Sequence, residues 1–155
     1  MELADILSEE SVVVCTDLKT KREVLERLAQ HAAAVTGHEP EAIFTALNDR
    51  EALGSTGLGN GIAIPHGRLS GLSGVVAVFA RLMRPVDFDA MDDQPVDLVM
   101  MLLAPPGAGA DHLKALARVA RMLRTDSAVQ QLRKSEDPHM LHAVLTQPLA
   151  AHQAA

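Results

Sequence analysis

Two strongly apolar runs, residues 75–82 and 96–103, constrain the fold of this chain more than any other feature. Each carries one charged residue, Arg81 in the first and Asp97 in the second, among valines, alanines, leucines, methionines and Phe79. At about eight residues they are too short to cross a bilayer as helices. They read as central strands of a sheet covered on both faces. The covering layers must then come from the helical patterns that flank them.

Those patterns are present on both sides. Leu3, Ile6 and Leu7 have helical spacing and predict a short turn docked on the body. The β-branched run Val12, Val13, Val14 predicts a strand. Thr20 and Glu23 have the spacing of a capping box, in which hydroxyl and carboxylate satisfy free N–H groups at a helix start. Val24, Leu25, Leu28, Ala29, Ala32 and Val35 then form one apolar stripe, and Gly37 stops the helix. Pro40 opens a second helix through about Asn48. Further on, a helix is expected over residues 111–123, a shorter one capped by Asp126, and a last one capped by Ser135 and ending near Thr146. Helices and strands interleave, which predicts one α/β domain over residues 1–147, a mixed β-sheet flanked by helices on both faces. The Ala-rich stretch 148–155 is expected to be a flexible tail.

Composition closes off several functions. The formal net charge of −6 argues against a general nucleic-acid binder. Three Phe with no Trp or Tyr argue against base-stacking platforms and aromatic sugar walls. One cysteine, Cys15, excludes an internal disulfide and a cysteine zinc cluster. An acidic start, Met1 to Asp5, lacks the pattern of a signal peptide, so a cytoplasmic protein with no membrane insertion is expected.

The run from Arg50 to Gly61 requires a reason of its own. Gly54, Gly57, Gly59 and Gly61 fall within eight residues, too many for regular structure without a large entropy cost. Glycines at positive φ can turn successive N–H groups into one anion-binding concavity, to which Ser55, Thr56 and Asn60 add donors. The Walker pattern is absent, because Ile62 follows Gly61. A turn shaped only for packing and an anion nest are equally open from the local sequence. After the short strand Ile62-Ala63-Ile64, the triplet Pro65-His66-Gly67 is expected to break it and present an uncrowded imidazole. One nitrogen of a neutral imidazole is nucleophilic near pH 7. An anion nest beside it suits phosphoryl transfer, whose charge spreads over three equatorial oxygens. A histidine in a turn is otherwise more often structural.

The whole run, Arg50-Glu-Ala-Leu-Gly-Ser-Thr-Gly-Leu-Gly-Asn-Gly-Ile-Ala-Ile-Pro-His66-Gly, resembles the active-site signature of phosphotransferase-system IIA proteins of the mannitol/fructose class. The later run Val86 to Leu98 looks like the nitrogen-regulatory branch of that class. The resemblance implies a mixed sheet flanked by helices. It implies that His66 accepts phosphate, on Nε2 by family precedent, from the phosphohistidine of a small carrier, HPr or its nitrogen-branch counterpart NPr. It further implies that Arg50 and His112 assist, and that the targets are regulatory proteins, among them potassium transport or sensor proteins. Independently, Arg50 stands just before the loop, where it can also simply neutralise a helix C-terminus. His112 falls on one wheel face with Leu116, Val119, Ala120 and Leu123, opposite Lys114, Arg118 and Arg121. The phosphate-binding set expected is Gly54, Ser55, Thr56, Gly57, Gly59, Asn60 and Gly61, with no metal and no cofactor.

Two readings compete with a phosphocarrier that regulates targets. One is a sugar-transport IIA passing phosphate to a separate IIB for fructose or mannitol. The other is a non-catalytic anion-binding module. His139 and His142 have a chelating spacing but no third ligand nearby. Asp87, Asp89, Asp92, Asp93 and Asp97 lack EF-hand spacing and read as a solvated acidic loop.

Overall fold

In the structure, a computed structural model that describes residues 1–148, the two apolar runs form the middle of one sheet. Strands β5 (Val76–Val86) and β6 (Val96–Ala104) pair antiparallel. Strand β1 (Val12–Cys15) runs parallel to β5 on the outer side. On the other side, β3 (Ile62–Ala63) and β4 (His66–Arg68) lie one after the other along β6, both parallel to it. Strand β2 (Gly57–Gly59) closes that edge antiparallel to β3. The flexible tail expected over 148–155 lies, beyond Pro148, outside the described residues.

Side chains alternate faces along a strand, and this alternation builds two cores. Ala77, Phe79, Leu98, Met100 and Leu102 pack with helices α3 (Ala110–Leu123), α4 (Asp126–Lys134) and α5 (Pro138–Thr146). Val78, Ala80, Leu82, Val99, Met101 and Leu103 pack with α1 (Lys21–Thr36) and α2 (Pro40–Ala52). The sheet is mixed and has helices on both faces, as expected. Among the described residues, no helix is long and apolar enough to cross a membrane.

Several boundaries depart from expectation. Val35 continues the periodicity of α1 yet is exposed, because a periodic pattern reports a helix face and not where its packing partner ends. Helix α2 runs to Ala52 rather than Asn48. Leu47 and Glu51, one turn apart on one face, are both buried and carry the helix onward. Thr125, not Asp126, is the N-cap of α4, and Asp126 sits in the first turn, where its charge favours the helix N-terminus. Ser135 follows α4. Helix α5 instead starts at Pro138, with the Asp137 carboxylate accepting from the His139 N–H, because proline presets the first helical φ. The glycine run also contains regular structure: β2 and β3 form a hairpin. Its bend uses positive φ at Gly59, Asn60 and Gly61, which is the conformation these residues tolerate.

The capping box of α1 is formed: Thr20 Oγ1 accepts from the Glu23 N–H, and the Glu23 carboxylate accepts from the Thr20 N–H. Gly37 at φ 78° ends the helix. Thr20→Ala is expected to cost about 1 kcal/mol, or roughly 2–4 °C in Tm for a domain of this size. Thermal unfolding followed by circular dichroism checks it.

Candidate active site

His66 does not break the sheet. It opens β4, opposite Leu102 of β6, so the Pro65 interruption separates two strands on the same neighbour. Gly67 faces α2: a Cβ there would lie 3.1 Å from the backbone carbonyl of Ala46. By alternation, His66 and Arg68 face the other layer, the side of α3. There His112 projects from the first turn of α3, 8% exposed. The two imidazoles meet edge to face, with centroids 5.8 Å apart and planes at 72°.

The ring nitrogens of these histidines are not equivalent. His66 Nδ1 is 2.9 Å from the carbonyl oxygen of Ile64. A carbonyl only accepts, so in the neutral ring Nδ1 carries the hydrogen and Nε2 holds the lone pair. His112 Nε2 is buried without a hydrogen-bond partner. Burial, and then the charges of His66 and Arg68, hold the His112 imidazolium pKa below the ordinary histidine value. The pair thus presents a half-buried imidazole, with its lone pair on Nε2, beside a buried imidazole with an unused polar atom.

Arg50 lies one turn beyond Ala46, in the last turn of α2, and its Nη1 donates to the Gly54 carbonyl at 2.9 Å. It bridges the last turn of the helix to the start of the glycine run. The run itself is tied down from within. The Gly54 N–H donates to the Glu51 carbonyl at 3.1 Å. The Thr56 N–H donates to the Glu51 carboxylate at 3.2 Å, and the Thr56 hydroxyl bonds the same carboxylate. The Gly57 N–H donates to Ser55 Oγ at 3.0 Å, and Ser55 Oγ bonds the Phe88 carbonyl. The Asn60 N–H donates to Asp92 at 2.9 Å. The backbone donors at 54, 56, 57 and 60 are therefore engaged within the chain, two of them by its own carboxylates. Gly59 and Gly61 shape the hairpin.

The acidic loop is tied down as well. Asp89 approaches Lys21 at 3.8 Å, Asp92 holds Asn60, and Asp97 pairs with Arg133 at 2.8 Å. His142 Nε2 lies 2.9 Å from the Leu7 carbonyl, and His139 lies 3.5 Å from Glu9. Among the described residues there is no group of three or more His, Cys, Asp or Glu placed to hold a metal ion.

Two residues at the site were not singled out from the sequence. Arg68 shares a face with His66 because both lie on β4, where i and i+2 point the same way. Glu51 is 7% exposed, and Lys21 meets it at 2.7 Å. Its signal was the four-residue spacing from the apolar Leu47.

A sheet-borne histidine facing a second histidine, after this glycine signature, defines the class. The chain belongs to the family described as "Phosphoenolpyruvate-dependent sugar phosphotransferase system, EIIA 2", which it matches over residues 5–147. Within that family it is similar to the nitrogen regulatory protein of Bradyrhizobium diazoefficiens. The two are 48% identical over 150 residues, covering 97% of this chain and 98% of the relative. The nitrogen regulatory protein IIA-Ntr of Neisseria meningitidis superposes with a TM-score of 0.86 at 33% identity, covering 93% of this chain and 99% of that one. The mannitol IIA of Escherichia coli, at 24% identity and a TM-score of 0.73 over 89% of this chain and 97% of that one, shares the fold. The family, its nitrogen-regulatory branch and the fold read from the sequence are borne out.

Proposed function

We propose that this protein is a cytoplasmic phosphocarrier of the nitrogen-branch system that takes a phosphoryl group on His66 Nε2 from the phosphohistidine of an HPr- or NPr-like carrier. The observation that carries this reading is the hydrogen bond from His66 Nδ1 to the Ile64 carbonyl, which leaves Nε2 as the nucleophile. In the step, the P–N bond of the donor breaks, its electron pair returns to the donor nitrogen, and a P–Nε2 bond forms. No proton has to leave the reacting nitrogen. The unpartnered His112 Nε2 suits a hydrogen bond to a phosphoryl oxygen, and Arg50, with Nη1 on Gly54, keeps a second nitrogen for another. The free backbone donors of the glycine run are fewer than its sequence suggested, so these side chains take the larger share of the charge.

Phosphorylation adds about two negative charges at one surface point. Phosphorylated and free forms then differ in their fit to regulatory targets, which we expect to include potassium transport or sensor proteins. The donor is already an activated phosphohistidine, so positioning and charge stabilisation suffice. Transfer from isolated phospho-carrier is accordingly expected to proceed undiminished in excess EDTA, with the label mapping to the His66 peptide. Arrest by EDTA, or label elsewhere, defeats the reading. Passage of the label onward to an added IIB protein would favour the sugar-transport role, and absence of any acid-labile phosphate would favour a plain anion-binding module.

A further inference from the structure

Glu51 is a carboxylate 7% exposed in a protein that has ample surface for its charges. Its partners are few and specific. Lys21 Nζ, from the first turn of α1, lies 2.7 Å from Oε2. The Thr56 N–H donates to the same oxygen at 3.2 Å, and the Thr56 hydroxyl bonds Oε1. Lys21 and the Thr56 N–H both donate to Oε2, and the Thr56 hydroxyl engages Oε1. Breaking a buried ion pair leaves an uncompensated charge, so the constellation holds as a unit.

The unit is joined to the reacting imidazole by consecutive hydrogen bonds. The Thr56 carbonyl accepts from the Ile64 N–H at 3.1 Å. The Ile64 carbonyl in turn accepts from His66 Nδ1 at 2.9 Å. Thr56 and Ile64 therefore sit between the buried ion pair and the histidine ring, each receiving one link at its N–H and passing on the next from its carbonyl. Lys21 also lies over the Phe88 ring at 5.1 Å, and Ser55 bonds the Phe88 carbonyl, so the same cluster clamps the segment that carries Thr56.

We infer that Glu51, held by Lys21, is a positioning residue that acts through Thr56 and the Ile64 carbonyl to fix the Nδ1–H tautomer of His66 and thereby select Nε2 as the reacting nitrogen. The inference rests on the reading of His66 as phosphoryl acceptor. Glu51 is not a catalytic residue, because it touches neither His66 nor the transferred group. What it supplies is a fixed carbonyl. The second hydrogen-bond partner of a histidine sets which nitrogen is free, and groups one step removed from the chemistry are what hold such partners in place.

The test compares wild type with Glu51→Gln, Thr56→Val and Thr56→Ser. Glu51→Gln offers one acceptor and one NH2 where three donors converge. Thr56→Val removes only the hydroxyl, and Thr56→Ser keeps it. The first readout is the 15N chemical shifts of the His66 ring at pH 8, taken on unphosphorylated protein, which report the tautomer directly. The wild type and Thr56→Ser are expected to show Nδ1–H alone. Glu51→Gln and Thr56→Val are expected to show both tautomers. The second readout is the phosphorylation rate at saturating phospho-carrier. It should fall about 10-fold in Glu51→Gln and less in Thr56→Val, below the ~100-fold that a 1 Å misplacement can cost. The half-saturating carrier concentration should stay unchanged. A single Nδ1–H tautomer in both variants, or wild-type rates in both, overturns the inference. If Glu51→Gln does not fold, Thr56→Val against Thr56→Ser decides alone. If wild-type His66 takes no label, the phosphocarrier reading fails, while the tautomer measurement still decides whether Glu51 positions the ring.

Discussion

His66→Ala is expected to accept no phosphoryl group from a phospho-carrier and to keep the wild-type fold. The loss should be complete, because the proposed reaction forms one bond, to His66 Nε2, and the histidine that meets it in the site is not presented in the same way. His112, the nearest, is buried at 8% exposure and cannot meet an incoming protein donor in line. His142 is tied to the Leu7 carbonyl. The structural cost should be small. The side chain makes one hydrogen bond, to the Ile64 carbonyl, whose net worth is about 1 kcal/mol. Its neighbour Gly67, which does fill a tight contact against Ala46, is untouched. Far-ultraviolet circular dichroism and a thermal scan establish the fold, and acid-labile label transferred from phospho-carrier establishes the activity. A folded variant that labels to the wild-type extent would show that the acceptor is elsewhere.

How much of this was legible in the sequence depends on whether a feature is local. The capping box at Thr20 and Glu23 and the stop at Gly37 follow from short-range rules and stand where those rules put them, and both apolar runs form strands, the first continuing past residue 82 to Val86. The helical wheel puts His112 on the inner face of α3, where the structure has it, since amphipathic periodicity already encodes the direction of the core. The reading of Pro65-His66-Gly67 as a break was too local. Proline does end β3, but Gly67 lets the chain pass close to α2 and resume pairing with β6 as β4. That one misplacement hid Arg68, which shares a face with His66 only on a strand. Glu51 was hidden for a different reason. A carboxylate beside an arginine at a helix end looks solvated, and it becomes buried only when Lys21 of another helix and Thr56 of the loop close over it. The glycine run shows the same limit. Its sequence announces N–H groups poised for anions, but which anions reach them is a tertiary matter, and here the carboxylates of Glu51 and Asp92 reach the donors at 56 and 60.

His112→Ala is expected to slow phosphorylation roughly 10- to 100-fold, with His66 remaining the target. Removing one preorganised donor from a water-excluded site typically costs 10²–10³ in rate. This site has to admit a protein donor, so the effect should sit at or below the low end of that range. The atom at stake is Nε2, buried and without a partner in the free protein, and it donates to a phosphoryl oxygen when it carries the ring hydrogen. A buried polar atom left unpaired has a free-energy cost, and a phosphoryl oxygen on His66, whose ring is 5.8 Å away centroid to centroid, is suited to remove it. The charge on His112 can be measured independently of the rate. In the free protein, burial and the charges of His66 and Arg68 hold the His112 pKa below the ordinary histidine value. A phosphoryl dianion next to it acts in the opposite sense, favouring the imidazolium. His112 should therefore titrate at higher pH in the phosphorylated protein than in the free one, and phosphorylation should take up a proton in the pH window between those two values. The sign follows from linkage: as pH falls through that window, the phosphorylated form gains stability relative to the free form. A proton NMR titration of the His112 ring in both forms, with rapid-quench rates for His112→Ala, checks the two halves together. An unchanged rate and an unchanged titration would mean that the orphaned nitrogen never meets the phosphoryl group. A shifted titration with an unchanged rate would mean that it meets the product and not the transition state, because only an interaction stronger in the transition state than in the ground state accelerates the step.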